Sequence, residues 1–151
     1  MALPAPLSAD DRLAIADLAT TYARAVDRRT FGLLDEVFTV DGVLDTGRGV
    51  RTGLDEIVAA MQGLHRYEVT RHVLGQQLVE VTADRPRRAR AETYCDAHHL
   101  VVDGDRRVDW RMHLRYVDEV VRTDAGWRIA RRTLHTDWTD QREVDPGTPP
   151  R

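Results

Sequence analysis

Residues 88–122, RARAETYCDAHHLVV-DGD-RRVDWRMHLRYVDEVVR, decide the fold of this chain. Two runs of strand-forming residues flank Asp103-Gly104-Asp105, and an Asp-Gly turn between such runs is typical of a β-hairpin. Similar runs occupy about Val69–Thr82 and Trp127–Trp138, and turn residues separate them from the hairpin at Ala83–Pro86 and Asp124–Gly126. The C-terminal half therefore predicts an antiparallel meander of four long strands.

The N-terminal half has the 3.6-residue period of helices instead. Ser8 followed by Asp11 predicts a helix start of the capping-box type, and an apolar stripe follows it: Ile15, Leu18, Ala19, Tyr22 and Val26. We expect a short second helix after Thr30, a brief strand at Gly42–Thr46 and a third helix after Thr52. Helices followed by such a meander indicate an α+β fold, in which a strongly curved antiparallel sheet wraps around the N-terminal helices. Side chains or a ligand must then fill its concave side.

Composition limits the classes of function. The 151 residues predict one domain, with a core at about 8–138 and loose ends rich in proline and glycine. A net charge of −3 with interspersed signs gives no stripe for nucleic acid. No apolar run approaches the roughly 18 residues of a membrane span, and the first residues lack a signal-peptide pattern, so we expect a cytoplasmic protein. Cys95 is the only cysteine, which indicates a reducing compartment and a buried thiol.

Metal and cofactor sites are not expected. His98 and His99 are adjacent on a strand, point in opposite directions and cannot both bind one ion. The stretch Gly47-Arg48-Gly49 is too short for a phosphate-binding loop, and no βαβ context supports a dinucleotide.

Alternation along the strands sorts the polar residues into two faces. Tyr94, Asp96 and His98 share one face, and Cys95, Ala97 and His99 share the other. In the next strand, Arg111, His113 and Arg115 share a face. A bulge would exchange the faces partway along such a run, so periodicity leaves open which face lines the interior.

Four segments of the sequence resemble the SnoaL-like group of the nuclear transport factor 2-like superfamily. They are Tyr22–Asp27, Thr70–Gly75, Tyr94–His98 and Gly126–Ile129. The pattern is nearest to scytalone dehydratase, with bile-acid dehydratases as relatives, and it covers roughly Ser8 to Trp138. The resemblance implies a cone-shaped α+β barrel that forms dimers or trimers through the outer face of the sheet.

The resemblance also implies the site residues. Asp27, His72 and His98 match the dehydratase aspartate and its two histidines. Tyr22, Arg132 and Asp96, the last as an alternative to His98, match the bile-acid enzymes more closely. His113 and Arg115 are weaker pocket candidates. Val26 stands where scytalone dehydratase has a tyrosine, and its second tyrosine falls near Asp45 or Thr46, so scytalone is not the expected substrate.

These residues predict dehydration of a small cyclic carbonyl compound without a cofactor, since imidazoles exchange protons near neutral pH. We hypothesise that Asp27 orients His98 as the base, His72 protonates the leaving oxygen, and Tyr22 or Arg132 binds the substrate oxygen. Because Asp27 lies five residues after Tyr22, roughly 140° around a helix, they share a site only if the helix ends near Val26. The alternatives are an isomerase or cyclase that uses the same residues, and a non-catalytic module that binds a ligand or resembles the small subunit of ring-hydroxylating dioxygenases. Purely structural roles are open too: Asp27 as a cap, Tyr22 in the core and Arg132 in an ion pair.

Overall fold

The helices lie in the N-terminal part of the chain together with two shorter strands, and four long strands follow them. The computed structural model describes residues 7–81, 85 and 87–145. The elements are α1 (Ala9–Arg28), a 3₁₀ helix (Phe31–Glu36), β1 (Phe38–Asp45), β2 (Val50–Thr52), α2 (Leu54–Met61), a second 3₁₀ helix (Gln62–Arg66), β3 (Val69–Val81), β4 (Arg88–Asp103), β5 (Arg106–Thr123) and β6 (Gly126–Glu143). The predicted turn at 83–86 falls almost wholly outside the described residues, as do 1–6 and 146–151. No helix in the described part of the chain is long and apolar enough to cross a membrane.

Helix α1 begins and packs as its sequence predicts. The Ser8 hydroxyl accepts a hydrogen bond from the backbone N–H of Asp11 at 3.0 Å. The Asp11 carboxylate in turn accepts bonds from the Trp127 indole at 2.9 Å and from Arg122 at 2.8 Å, and these fix the start of the helix to the β5–β6 end of the sheet. The predicted apolar stripe is buried.

The next elements differ in detail from the prediction. The segment after Thr30 is a 3₁₀ helix, and the Thr30 side chain makes no capping hydrogen bond. The third helix begins at Leu54 after Gly53, whose φ of 92° is one that glycine adopts most readily. The predicted brief strand is longer, because β1 begins at Phe38, which pairs with Ile129 of β6.

The sheet confirms the predicted α+β architecture. Its six strands lie in the order β2-β1-β6-β5-β4-β3 in a curved sheet that does not close. Every neighbouring pair is antiparallel except β1 and β6, which run parallel. Strand β6 continues five residues beyond Trp138, because the segment from Trp138 to Glu143 pairs with β5 without a register shift.

The concave face of β4 carries small side chains. Ala89, Ala91, Cys95 and Ala97 are each less than 5% exposed, and Cys95 is buried as predicted. Small residues on this face leave room for α1, whose apolar stripe packs into the hollow of the sheet.

The end of α1 is tied to β3 by one arginine. Arg29 caps the helix with φ 58°, and its guanidinium donates to the Val26 carbonyl at 2.5 Å, the Thr70 hydroxyl at 2.6 Å and the Leu64 carbonyl at 3.0 Å. These bonds hold the helix end, the second 3₁₀ helix and the start of β3 in one arrangement.

Removing the hydrogen bonds of the Arg29 guanidinium, which act as a clamp between α1 and β3, should destabilise the fold. We expect Arg29→Met to lower the free energy of unfolding by roughly 1.5–3 kcal/mol, because charge-assisted hydrogen bonds are lost while the positive φ is unchanged. Urea denaturation followed by circular dichroism measures this. The neighbouring exposed Arg28→Met is the control and should stay within about 0.5 kcal/mol of the parent. Equal denaturation midpoints for the two variants would contradict the clamp.

Candidate active site

Asp27 and His72 form a partly buried pair where α1 meets β3. The carboxylate oxygen Oδ1 lies 2.7 Å from His72 Nδ1, and Oδ2 accepts the backbone N–H of His72 at 2.9 Å. The side chains are 20% and 6% exposed. Two contacts to one residue fix both the position of the strand and the orientation of the imidazole ring.

The charge on Asp27 determines the tautomer of His72. Burial opposes ionisation of Asp27, but hydrogen bonds from the His72 side chain and backbone outweigh it and hold the pKa of this carboxyl below 3.8. An ionised carboxylate only accepts hydrogen bonds, so Nδ1 of His72 carries the proton. In the neutral ring, Nε2 therefore keeps its lone pair and can accept a proton.

Tyr22 approaches the same imidazole without the predicted break in the helix. Helix α1 continues to Arg28 instead of ending near Val26. The Tyr22 and His72 rings nevertheless meet edge to face at 6.4 Å. The prediction that the two residues share a site only if the helix ends near Val26 was therefore wrong. Tyr22 and Asp27 project from different sides of α1, and the His72 ring contacts both of them.

His99 is the second histidine near His72. It lies opposite Thr70 in the β3–β4 register and is 6% exposed on the concave face. Its ring centroid lies 6.1 Å from that of His72, 4.8 Å from Tyr67 and 5.0 Å from Trp110. Burial lowers the pKa of His99 to about 4, so the ring is neutral at pH 7. Its Nδ1 faces the Trp110 carbonyl at 3.3 Å, which assigns the proton to Nδ1.

Arg132 is fully buried between the rings of Tyr22 and Tyr116. Its Nε and Nη2 donate to both oxygens of Asp118 at 2.8 and 2.7 Å. The guanidinium carbon lies 4.4 Å from the Tyr22 ring centroid and 4.1 Å from that of Tyr116. Burial opposes the charge, but Asp118 outweighs burial and raises the pKa of Arg132. Nη1 has no hydrogen-bond partner among the described residues, so a donor is available next to Tyr22.

A β-bulge turns Arg132 inward. Ile129 pairs with Val120, and Arg131 pairs with Glu119, so β6 has one extra residue between them. Ile129 and Arg132 consequently share the concave face although they are three positions apart.

The remaining interior hydroxyl and thiol groups are neutral. Burial raises the pKa of Tyr22 to about 12 and that of Tyr116 well above 10. Burial likewise raises the pKa of the Cys95 thiol to about 11, which makes it a poor nucleophile.

His98 lies on the opposite face of the sheet. Strand β4 pairs with β5 without a register shift, so alternation is kept throughout and the side chains of His98 and His99 point in opposite directions. His98 Nδ1 contacts Asp109 at 2.9 Å on the outer face. The hypothesis that Asp27 orients His98 is therefore wrong. Asp27 contacts His72 instead.

The other predicted pocket residues of β4 and β5 also lie on the outer face. His113 contacts Asp96 through Nδ1 at 2.7 Å and Asp140 through Nε2 at 3.1 Å. Arg115 pairs with Asp137 at 3.0 Å. Asp96, His113 and Arg115 thus belong to surface ion pairs, while Tyr22 and Arg132 are the predicted binding residues that lie near His72.

A pattern in the sequence of β4 marks His99 as an interior residue. Alternate positions of β4 from Ala89 to Ala97 carry only small or weakly polar residues, whereas the intervening positions carry Arg, Glu, Tyr and Asp. The row of small residues marks the interior, and His99 continues that row. Tyr116 and Asp118 of β5 pair with Thr93 and Ala91 and therefore lie on the same interior face.

A cavity of about 790 Å³ opens at one end of the sheet, where the β4–β5 turn, the end of β6 and the loop after β1 meet. We call it the mouth cavity. Tyr67 and Trp110 lie in its wall, and both contact His99, which in turn contacts His72. Within the described part of the chain, no group of three His, Cys, Asp or Glu side chains is arranged to hold a metal ion.

The low pKa of His99 has a consequence for stability. The unfolded chain binds a proton at this residue below pH 6.5, whereas the folded protein does so only near pH 4. The free energy of unfolding should therefore fall as the pH drops through this interval. His99→Gln should reduce that fall, and the exposed His135→Gln should not. Urea denaturation across the interval measures both, and identical pH slopes for His99→Gln and the parent would contradict the assignment.

Comparisons with known proteins agree with this architecture. A family model for the SnoaL-like domain matches residues 8–133. The uncharacterized protein Rv2910c of Mycobacterium tuberculosis is 37% identical over 125 residues, covering 81% of this chain and 82% of that protein.

Solved structures show the same fold. A protein of Novosphingobium aromaticivorans provisionally named scytalone dehydratase has a TM-score of 0.76 at 22% identity, over 94% of this chain and 97% of its own. A type 2 hexachlorocyclohexane dehydrochlorinase, LinA, has a TM-score of 0.79 at 20% identity, over 95% and 99%. With the helices, the curved sheet and the family match in agreement, the chain belongs to the SnoaL-like domain family.

Proposed function

We propose that this protein is a cofactor-independent acid–base enzyme, a dehydratase that acts on a cyclic polyketide- or steroid-like carbonyl compound. The observation that carries the proposal is the partly buried Asp27–His72 pair, which leaves Nε2 of His72 as a proton acceptor. The names of the two structural neighbours, a dehydratase and a dehydrochlorinase, both describe eliminations and support the same class of reaction.

In the proposed reaction, His72 Nε2 removes a proton from the carbon next to the substrate carbonyl. The electron pair of that C–H bond forms the carbon–carbon double bond, and the C–O bond of the β-hydroxyl breaks. The imidazolium returns the proton to the departing hydroxyl, which leaves as water, so atoms and charge balance. Asp27 stabilises the imidazolium between the two transfers.

The carbonyl oxygen gains negative charge during proton removal and needs a donor. The unpartnered Nη1 of Arg132 and the neutral hydroxyl of Tyr22 are the donors near His72. His99, neutral and in contact with His72, is suited to accept a hydrogen bond from the substrate hydroxyl and thereby position it. It replaces His98 in the proposed site.

Two alternatives remain in different classes. An isomerase or cyclase would use the same proton acceptor but lose no water. A non-catalytic ligand-binding module is favoured by one observation: the His72 side chain is only 6% exposed and does not line the mouth cavity or three smaller hollows in the described part of the chain.

Turnover of a cyclic β-hydroxyketone tests the proposal. Hydroxytetralone, which gives naphthol on losing water, is a simple probe, and mass spectrometry of a wider panel identifies other substrates. We expect Asp27→Asn and His72→Gln to lower kcat by about 10²–10⁴-fold, because each removes the oriented base. His98→Gln is the matched control on the outer face and should keep full activity.

Each alternative gives a different result. Products of unchanged mass that depend on His72 would indicate an isomerase or cyclase. If no compound of the panel is turned over in a way that His72→Gln reduces, the protein is a binding module and the proposed enzyme is contradicted.

A further inference from the structure

The mouth cavity carries an excess of positive charge. Its charged lining residues are three arginines and two acids: Arg48, Arg106, Arg142, Asp103 and Glu143. Arg106 lies 2.6 Å from Asp103 and 3.9 Å from Glu143, so one guanidinium faces two carboxylates, and the excess of positive charge comes from Arg48 and Arg142. Within the described residues, Arg48 and Arg142 make no ion pair with a carboxylate.

Arg48 is held over an aromatic ring. Its guanidinium lies 5.4 Å from the ring centroid of Trp110 in the cavity wall. Two hydrogen bonds hold the loop that carries it. The backbone N–H of Gly47 donates to the Asp45 carboxylate at 2.9 Å, and the Thr46 hydroxyl donates to the Gly49 carbonyl at 3.2 Å. The planar guanidinium is therefore placed above an apolar surface with its donors unused by carboxylates.

Arg142, at the end of β6, lies at the rim of the cavity: its pairing with Asp109 places it on the outer face, and it lines both the mouth cavity and the outer-face hollow beside His98. It lies opposite Asp109 in the β5–β6 register, but that carboxylate contacts His98 at 2.9 Å and lies 3.8 Å from Arg111 on the outer face. A guanidinium without an acid partner binds carboxylate or phosphoryl oxygens through paired donors.

We propose that the mouth cavity binds an anionic group, a carboxylate or a phosphoryl group, attached to a flat apolar body. Arg48 and Arg142 bind the anion, and Trp110 and Tyr67 contact the flat body. Because both rings contact His99, a bound molecule extends from the arginines towards His72. That orientation rests on the proposed function and makes the substrate an anionic cyclic carbonyl compound. The anion site itself does not depend on catalysis.

Binding of four naphthalene probes to the full chain tests this site by isothermal titration calorimetry. Naphthoate and naphthyl phosphate supply the two anions, and naphthamide and naphthalenemethanol supply the same ring without charge. We expect at least one anion to bind about tenfold more tightly than either neutral probe, with the preference falling at high salt. The stronger anion identifies the group that the site prefers.

Two variants and a matched control assign the binding to this cavity. Arg48→Gln and Arg142→Gln should each weaken anion binding by about tenfold, through loss of a charge-assisted contact. Arg12→Gln should have no effect, because this exposed arginine lies in the first turns of α1, at the opposite end of β5 from the cavity. Circular dichroism checks that the variants are folded.

The outcomes separate this inference from the proposed function. Equal affinity for charged and neutral probes, no binding of either anion, or anion binding unaffected by both variants would overturn the anion site. Charge-dependent binding that persists in His72→Gln supports the site even if no compound is turned over. Turnover without any preference for anions would keep the enzyme and reject the site.

Discussion

The two hydrogen bonds from His72 to the Asp27 carboxylate are the constraint on which the site depends. They join residues 45 positions apart and connect the end of α1 to β3. The backbone bond sets where the strand lies against the helix, and the ring bond sets the tautomer. One carboxylate therefore positions a structural element and prepares a proton acceptor, so the fold and the proposed chemistry share the same contact.

The Arg132–Asp118 pair illustrates what such an interior requires. A fully buried ion pair loses the solvation of both charges, and its attraction offsets that loss only with good geometry. Here the pair is bidentate, and the Tyr22 and Tyr116 rings lie within cation–π distance of the guanidinium. One donor still has no hydrogen-bond partner among the described residues, which is costly in a core that serves stability alone. A polar atom kept in this state fits the role proposed for Arg132, which is to bind a substrate oxygen.

Sequence patterns predicted the architecture because it follows from local periodicity. The Ser8 cap, the stripe through Tyr22 and the Asp103-Gly104-Asp105 turn are short-range features, and the structure confirms the elements that they indicate. Which residues meet in the candidate site depends instead on contacts between segments that are distant in sequence. The bulge that turns Arg132 inward exists only in the pairing of β6 with β5, and no local signal in the sequence marks it. His98 and His99 are neighbours in sequence, so choosing between them requires knowing which face of β4 packs against the helices.

The contacts of His113 give the two faces of the sheet opposite responses to acid. Burial lowers the pKa of His113, but hydrogen bonds to Asp96 and Asp140 outweigh it and raise the pKa above 6.5. Its stabilising effect is complete below that pH and is lost as the pH rises through the raised pKa. The interior His99 behaves in reverse, since it resists protonation. Acidification therefore favours the outer-face contacts of His113 while protonation of His99 opposes folding, so two imidazoles on adjacent strands give the free energy of unfolding opposite dependences on pH.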